Sequence, residues 1–280
     1  MTQKALFDKV SIATSRLTTH AYSTSFSIGI KCLDKELRGP IYAIYGFVRF
    51  ADEIVDTFHE YNKEALLARF REDTYRAIEE KISLNPILNS FQHAVHQYGI
   101  ENELIDTFLQ SMEFDLTKKD YDQAGFEKYV LGSAEVVGLM CLRVFCLGDK
   151  ELYSKLKPSA MKLGSAFQKI NFLRDMQADY VGLGRAYFPE LQLERFDREC
   201  KRKIEESIAA DFHAGYEGIK QLPRSSKLGV YVAYVYYLAL FRKIKNTAPE
   251  LVLNSRIRIP NRHKLSILFY SFVKHQLNLI

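Results

Sequence analysis

The sequence predicts an all-α protein that forms a single domain over residues 1–280. Apolar residues recur at helical spacing along nearly the whole chain, and strand-like alternation bounded by turns is scarce. Glycine and proline fall mostly between the periodic segments, and no repeat or low-complexity linker divides them. The clearest predicted helices are Ala65–Ile82, Glu101–Leu116, Phe126–Leu147, Pro158–Tyr180 and Lys203–Ile219. Since 47% of the residues are hydrophobic, we expect one helical bundle with a deep core.

Charge, cysteine usage and hydropathy exclude several classes of function. The net charge of +5 comes without a basic run, which argues against nucleic-acid binding. The four cysteines form no Cys-x-x-Cys motif, so we expect free thiols in a reducing compartment and no zinc site. The N-terminus carries no signal pattern, and the longest apolar run, Gly229–Phe241, is shorter than the roughly 20 residues that a membrane span needs. We therefore expect a cytoplasmic protein, compatible with peripheral contact at the inner face of the cell membrane.

A first pair of aspartates stands one helical turn apart in an apolar segment. Residues three and four apart share a helix face. One face therefore carries five polar or aromatic side chains, Tyr42, Tyr45, Arg49, Asp52 and Asp56. The other faces carry apolar residues suited to the core, Ile44, Phe47, Val48, Ile54 and Val55. Such a stripe is expected to face a cavity; the alternative is an exposed acidic face on which arginine pairs with the aspartates.

A second pair of aspartates repeats this pattern later in the chain. Asp175 and Asp179 share a helix face with Gln168 and Asn171, and Arg174 directly precedes Asp175. Carboxylate oxygens suit Mg²⁺, which typically takes one or two carboxylates together with substrate phosphate oxygens. Two facing pairs would form a strongly negative pocket that Mg²⁺ ions and a bound diphosphate neutralise.

The two pairs together indicate a metal-dependent site for a diphosphate. The candidate ligands of Mg²⁺, with Mn²⁺ as the alternative ion, are Asp52, Asp56, Asp175 and Asp179. The candidates for contact with phosphate oxygens are Arg49, Arg174 and Arg185. No Glu-x-x-His, His-Glu-x-x-His or Gly-x-Ser-x-Gly motif occurs, which argues against a di-iron bundle, a zinc peptidase and an α/β-hydrolase nucleophile.

Five elements of the sequence, in this order, resemble motifs of the squalene/phytoene synthase family. Tyr22–Phe26 resembles its Ser-x-Ser-Phe element, and Arg38–Asp56 resembles its first aspartate-rich helix. Met112–Leu116 is similar to its Met-x-x-Asp-Leu element, and Tyr129–Met140 to its helix of small residues. Phe167–Pro189 resembles the second aspartate-rich helix and the flap that follows. Each motif is moderately specific, whereas their joint order and spacing are highly specific.

The resemblance implies an isoprenoid-synthase-type bundle around a central cavity. It also implies head-to-head condensation of two allylic prenyl diphosphates, with the aspartate pairs binding Mg²⁺ and both diphosphates. The implied catalytic residues are Arg49, Asp52, Asp56, Arg174, Asp175 and Asp179. The implied substrate-binding residues are Ser23, Ser25, Phe26, Tyr42, Tyr45, Ala134, Gly138, Gln168, Asn171, Arg185, Tyr187 and Tyr236.

Within the family, the sequence favours a non-reducing phytoene synthase. Squalene synthases of the eukaryotic type in this family carry a C-terminal membrane helix and use a nicotinamide cofactor. The sequence shows no such helix and no dinucleotide fingerprint, so we expect no NAD(P)H requirement. The expected reaction joins two geranylgeranyl diphosphates through prephytoene diphosphate to phytoene, in carotenoid biosynthesis. The alternative is a dehydrosqualene- or squalene-type synthase that uses two farnesyl diphosphates. Three small residues, Gly132, Ala134 and Gly138, are expected either to form a groove for the isoprenoid tail or to permit close helix packing.

Two hypotheses from other classes stay open on the residues alone. The chain could be a non-catalytic family member that acts as an assembly factor, although such members commonly lose motif aspartates and all four are present here. It could also be a lipid-binding helical protein without chemistry, which would leave Arg174 and Arg185 unexplained.

Overall fold

The computed structural model describes residues 2–117, 121–183, 187–189 and 196–280, except for the side chains of residues 179–183 and 261. Within these ranges every regular element is helical and no strand occurs, which confirms the all-α prediction. The α-helices are α1 (Gln3–Tyr22), α2 (Thr24–Lys31), α3 (Lys35–Asp56), α4 (Lys63–Glu80), α5 (Pro86–Tyr98), α6 (Asn102–Thr117), α7 (Gln123–Val130), α8 (Val136–Phe145), α9 (Lys150–Leu183), α10 (Arg198–Gln221), α11 (Arg224–Lys245), α12 (Pro249–Asn254) and α13 (Asn261–Gln276). A π-helical turn, Leu131–Glu135, joins α7 to α8.

Helix ends follow capping residues that are visible in the sequence. Thr2, Ser23 and Asn62 each accept a hydrogen bond from the backbone N–H three residues on, which satisfies a donor that the first helical turn leaves unpaired. Gly99 ends α5 with a φ of +62°, a conformation that glycine adopts without steric cost. These caps fix where α1, α2 and α4 begin and where α5 ends.

Three predicted helices differ from the observed ones, and in one of them, α10, the helix begins at Arg198, five residues before the predicted start. The segment Phe126–Leu147 is interrupted by the π-helical turn, so it forms α7, the turn and α8. Pro158 does not begin its helix, because α9 starts eight residues earlier and continues through the proline. The first turns of α9 are held by Tyr153 and Leu156, which are buried in one cluster with residues of α8 and α10, and this packing offsets the one backbone hydrogen bond that the proline removes.

The core has two main halves, and the cavity described below lies between them. In the first half, Phe47 of α3 is fully buried and its ring stacks on Phe91 at 3.9 Å and tilts against Phe108 at 5.3 Å. In the second half, Ile170 and Leu173 of α9 are buried with residues of α10 and α11. Burying such side chains contributes about 1.5–3 kcal/mol each, so α3 and α9 are held firmly as opposite walls. No helix in the described ranges is long and apolar enough to cross a membrane.

The π-helical turn packs directly on α6 through Gly132. A Cβ at this position would lie 2.5 Å from Cβ of Ser111 and 2.8 Å from the carbonyl oxygen of Thr107. Of the two functions expected for the small residues, close helix packing is therefore the one that applies to Gly132, which is not among the residues that line the cavity.

Replacing Gly132 with alanine is expected to lower the free energy of unfolding by about 1–3 kcal/mol, because the new methyl group meets backbone that cannot move aside easily. The matched control is Gly39→Ala in α3, where the added Cβ would lie 3.6 Å from the Ile12 side chain. That control should be neutral or stabilising by up to about 1 kcal/mol, because alanine favours helix more than glycine does. Urea unfolding of both variants measures the difference, and equal midpoints would contradict the packing argument.

Candidate active site

A cavity of about 700 Å³ lies between α3 and α9 and is also lined by α2, α8, α10 and α11. On α9 its lining residues run from Leu156 to Ala178, a length of about 33 Å at 1.5 Å per residue. Charged side chains line one end, which we call the polar end: Arg49, Asp52, Asp56, Arg174, Asp175 and Arg256. Apolar side chains line the other, which we call the apolar end: Leu142, Phe145, Leu156, Ile219 and Leu222. The cavity thus separates a charged region from a long apolar one.

The first aspartate pair reaches the polar end from α3. Oδ2 of Asp52 accepts a hydrogen bond from Nη1 of Arg49 at 2.7 Å, and the same guanidinium pairs with Glu53. The Tyr22 ring lies 4.4 Å from the guanidinium carbon, a cation–π distance. Burial lowers the pKa of Arg49, but the carboxylates of Asp52 and Glu53 outweigh this effect and leave the pKa raised. Nε of Arg49 is buried with no hydrogen-bond partner among the described residues, so it is a donor available to a ligand.

The second pair is represented by Asp175 of α9, because the Asp179 side chain lies outside the described residues. Nε of Arg174 donates to both carboxylate oxygens of Asp175, at 3.0 and 3.1 Å. Nε of Arg256 lies 2.7 Å from Oδ1 of the same carboxylate. Burial lowers the pKa of Arg174, but its hydrogen bond to Asp175 outweighs this effect and raises the pKa.

Asp52, Asp56 and Asp175 line the same cavity, whereas their joint binding of a metal ion stays a prediction. These three carboxylates come from two helices that are far apart in sequence. Arg49 and Arg174 lie beside them, as predicted, whereas Arg185 lies outside the described residues. Among the described residues the polar end therefore combines three carboxylates with three guanidinium groups.

An aromatic wall lines the cavity next to the polar end. The Phe26 ring lies 5.9 Å from the Tyr45 ring and 6.1 Å from the Tyr237 ring. The Tyr237 ring stacks on Phe167 at 4.0 Å, and its hydroxyl donates to Oδ1 of Asn171 at 3.2 Å. Burial raises the pKa of Tyr45 to about 12 and also raises the pKa of Tyr237, so both phenols are neutral at physiological pH. The wall presents ring faces that carry no full charge.

A second aromatic group closes the wall on the side of α7. The Tyr187 ring stacks on Phe172 at 4.2 Å and on Tyr129 at 5.2 Å, and all three residues line the cavity. The Tyr129 hydroxyl donates to Asp115 at 2.6 Å, which places the Met-x-x-Asp-Leu segment beneath this group. Complete burial beside that carboxylate raises the pKa of Tyr129 well above its usual value.

Most of the predicted substrate-binding residues line the cavity. Those that do are Ser23, Ser25, Phe26, Tyr45, Ala134, Gly138, Gln168, Asn171, Tyr187 and Tyr236. Within this set, the Ser23 hydroxyl caps α2, and Nε2 of Gln168 donates to Oγ of Ser133 at 3.2 Å. Lining the cavity establishes position, and the binding roles of these residues stay predictions.

Tyr42 is the exception, because it is buried away from the cavity and its ring lies 5.8 Å from His20 of α1. The cavity-facing side of α3 follows Ile41, Tyr45, Val48 and Asp52, and Tyr42 is rotated about a quarter turn from their mean direction. For the same reason Ile44 and Val48, which were assigned to the core alone, also line the cavity.

Ala134 and Gly138 lie where the π-helical turn and α8 pack against α9. A Cβ added to Gly138 would be 3.3 Å from the carbonyl oxygen of Ala160, and one added to Gly164 would be 2.8 Å from that of Ala134. Both expected functions of the small residues therefore apply here, since each position lines the cavity and also permits a close helix contact.

Sequence reasoning missed several residues of the site, among them Arg256 and Tyr237. Arg256 follows α12 in a segment with no periodic pattern, and only its fold position brings it to Asp175. Tyr237 was passed over in favour of its neighbour Tyr236, although both line the cavity. Both tyrosines lie in the apolar run Gly229–Phe241, and this run is the signal in the sequence that could have indicated a cavity-lining helix.

A model of the squalene/phytoene synthase family matches residues 19–263. The chain belongs to this family, which is a family of prenyltransferases. The match leaves both chain ends outside it, so the extent of the predicted domain, 1–280, stays a prediction.

The chain is similar to several characterised members of the family. It is 28% identical over 175 residues to presqualene diphosphate synthase of Rhodopseudomonas palustris, covering 60% of this chain and 59% of that protein. It is 27% identical over 197 residues to 4,4'-diapophytoene synthase of Staphylococcus haemolyticus, covering 68% and 66%. It is 29% identical over 184 residues to phytoene synthase of Mycobacterium tuberculosis, covering 63% and 57%. These alignments span about three fifths of the relatives' length.

The fold is shared with a dehydrosqualene synthase of known crystal structure. The two superimpose with a TM-score of 0.81 over 96% of this chain and 98% of that chain, at 20% sequence identity. The expected isoprenoid-synthase-type bundle is therefore confirmed.

Proposed function

We propose that this protein is a metal-dependent prenyltransferase that condenses two allylic prenyl diphosphates head to head. The observation that carries the proposal is the division of the cavity into a polar end with carboxylates and guanidinium groups and a long apolar remainder. A prenyl diphosphate has the same division, since a charged diphosphate group is attached to a long hydrocarbon tail. The names of the relatives, which include phytoene, diapophytoene and presqualene diphosphate synthases, support this class of substrate.

The polar end fits Mg²⁺ that is bound jointly with a diphosphate. Among the described residues no three His, Cys, Asp or Glu side chains lie close enough together to hold an ion by themselves. Mg²⁺ commonly takes only one or two carboxylates and completes its shell with phosphate oxygens and water. Asp52, Asp56 and Asp175 would hold the ions, with Asp179 as the fourth proposed ligand and Mn²⁺ as the alternative metal. Bound metal would neutralise the charge that develops on the leaving diphosphate.

The arginines at the polar end are proposed to bind the diphosphate oxygens. Nε of Arg49 is already an unpaired buried donor, so it gains a hydrogen bond when an anion enters. Arg174 and Arg256 pair with Asp175 in the free protein, and their remaining N–H groups can bind phosphate oxygens. The guanidinium groups thereby stabilise the anion as the carbon–oxygen bond breaks.

The aromatic wall is proposed to stabilise the cation that departure of the diphosphate leaves behind. When the C1–O bond of one substrate breaks, its electron pair leaves with the diphosphate and an allylic cation forms. The double bond of the second substrate attacks this cation, and loss of a proton closes a cyclopropane ring in a cyclopropylcarbinyl diphosphate. Phe26, Tyr45 and Tyr237 present neutral ring faces that attract a cation and exclude water. A second ionisation, rearrangement and proton loss then give the hydrocarbon without a reductant.

Geranylgeranyl diphosphate is the proposed substrate, which makes the product phytoene and the pathway carotenoid biosynthesis. The length of the apolar part, along more than three turns of α9 below Gln168, supports a long tail. The competing assignment is two farnesyl diphosphates, since a diapophytoene synthase is among the relatives.

Incubation of the protein with geranylgeranyl diphosphate and Mg²⁺, without any nicotinamide cofactor, is expected to yield phytoene and diphosphate. Farnesyl diphosphate serves as the competing substrate, and product identification by mass separates the C40 and C30 hydrocarbons. A chelator should stop turnover, and restored Mg²⁺ should recover it. A C30 product alone would replace the substrate assignment, and a strict NADPH requirement would place the protein in the reducing branch.

Asp52→Asn and Asp175→Asn are each expected to lower kcat by about 10²-fold or more while leaving the fold intact, because each removes a charge that holds metal without changing side-chain shape. Steady-state kinetics and a thermal melt of each variant provide the measurement. The matched control is Asp73→Asn on the outer face of α4, which should keep full activity. Turnover close to that of the wild type in either site variant would show that its carboxylate does not hold the catalytic metal.

Cys141→Leu is expected to shift the preference from geranylgeranyl toward farnesyl diphosphate by about tenfold in kcat/KM, the scale of a few methylene groups in a hydrophobic pocket. Cys141 lines the cavity one turn beyond Gly138, and its enlargement would shorten the space available to the tail. The matched control is Cys146→Leu, since Cys146 is buried but does not line the cavity. An equal change in both variants would show that general repacking, and not tail length, is responsible.

A further inference from the structure

The C-terminal helix α13 exposes an apolar stripe to solvent. Leu265, Phe269 and Phe272 are spaced by four and three residues, so they share one helix face. They are 65%, 72% and 48% exposed. Further exposed apolar side chains flank the stripe, namely Tyr270, Val273, Leu277 and Leu279. Ser271, on the opposite face, is fully buried against the protein, so α13 is docked through one side and leaves its more apolar side free.

The excess of positive over negative charge in the chain comes from the same segment. Residues 251–280 contain five Lys and Arg residues and no Asp or Glu, out of 39 and 34 in the chain. The remaining 250 residues therefore carry 34 charges of each sign, and the whole formal net charge of +5 belongs to this segment. Arg258 and Arg262 are exposed, and Nζ of Lys274 lies 5.1 Å from the Tyr270 ring. Arg256 pairs with Asp175, so the other four cations give the segment of the apolar stripe its excess of positive charge.

We propose that α13 is a membrane-docking surface that lies in the interface of an anionic lipid bilayer. A helix with exposed Leu and Phe on one face and Lys and Arg around it binds such an interface by burying apolar area and by attraction to acidic lipids. The exposed aromatic rings suit the interfacial region, where one side of a residue is apolar and the other is wet. With 16 residues, α13 lies on the membrane and does not span it.

The charge distribution favours a lipid surface over a second copy of the chain. In a two-fold dimer through this face, each α13 would meet the same segment of its partner. Both segments are positive and contain no carboxylate, so the pairing would place like charges together. An anionic bilayer supplies the missing negative charge and covers the apolar stripe in one contact.

The position of α13 also connects this surface with the cavity. Nζ of Lys264, in the first turn of α13, lies 5.5 Å from the ring of Tyr236, which lines the cavity. Arg256, which precedes the helix, lines the polar end. If the proposed function holds, the product is a water-insoluble hydrocarbon, and docking through α13 would bring the cavity close to the bilayer that receives it.

Vesicle sedimentation of the full chain, without substrate, tests the surface independently of catalysis. Vesicles of phosphatidylcholine with phosphatidylglycerol should bind the protein, and vesicles of phosphatidylcholine alone should bind it weakly. Phe269→Ser with Phe272→Ser should reduce partitioning by about tenfold or more. Tyr61→Ser with Leu84→Ser, which removes two apolar side chains that are 69% and 92% exposed elsewhere on the protein, should leave binding unchanged.

The charged border has its own matched pair of variants. Arg258→Gln with Arg262→Gln should weaken binding to the acidic vesicles by about fivefold per charge removed. Arg69→Gln with Arg76→Gln removes the same charge from α4 and should have no such effect. Thermal melts of all variants exclude unfolding as the cause of any loss.

A fluorescence measurement serves if the serine variants do not fold. The chain contains no tryptophan, so Phe269→Trp introduces a single probe on the stripe. Its emission should shift to shorter wavelength with phosphatidylglycerol vesicles and be quenched by brominated lipid, whereas a Leu84→Trp probe should respond to neither. Absent binding to acidic vesicles, binding that is unaffected by the α13 variants, or a Phe269-dependent dimer would each overturn the proposal.

Discussion

The pairing of arginines with carboxylates at the polar end is the interaction on which the arrangement of the cavity depends. A half-buried carboxylate is partly removed from water and needs a charged partner, and two helices bring several of them to one place. Arg49 is held on Asp52 and Glu53, while Arg174 and Arg256 are held on Asp175. These pairs keep the free protein stable and hold the groups that a metal ion and a diphosphate would require. Removing one partner would leave the other charge partly desolvated and without a counter-charge, so the loss would exceed that of an exposed surface pair.

The same cavity must remain open along its apolar length, which ordinary packing opposes. Protein cores are closely packed and leave few voids, so rigid walls are needed to keep a space of about 700 Å³ open. The walls are long helices fixed by separate halves of the core, with the Phe47 stack on one side and Ile170 and Leu173 on the other. Close contacts such as that of Gly132 with α6 hold the π-helical turn in place. The packing that stabilises the fold thus lies on either side of the cavity, and the cavity itself stays open.

Local residues predicted much of this arrangement. Helical periodicity and capping residues give the helices because both depend on neighbours within one or two turns. The aspartate pairs were recognisable since four-residue spacing puts carboxylates on one face whatever the fold. The spacing does not say which residues of that face point into the cavity, and Tyr42 shows why. A helix can rotate by a quarter turn as it packs, and such a rotation transfers a residue from the cavity to the contact with α1.

The sequence by itself determined that the chain is helical, that it carries two aspartate pairs beside arginines, and that it has a basic, apolar C-terminal segment. Each of these is a property of composition or of spacing within a single helix. Only the tertiary structure decided that Arg256 meets Asp175, that Tyr237 meets Asn171, and that Leu142, Leu156 and Ile219 line one apolar end. These contacts join residues far apart in the chain, and they arise from how helices burying different faces settle against one another. No local pattern records that outcome, because the free energy that selects it is shared among all the packed helices.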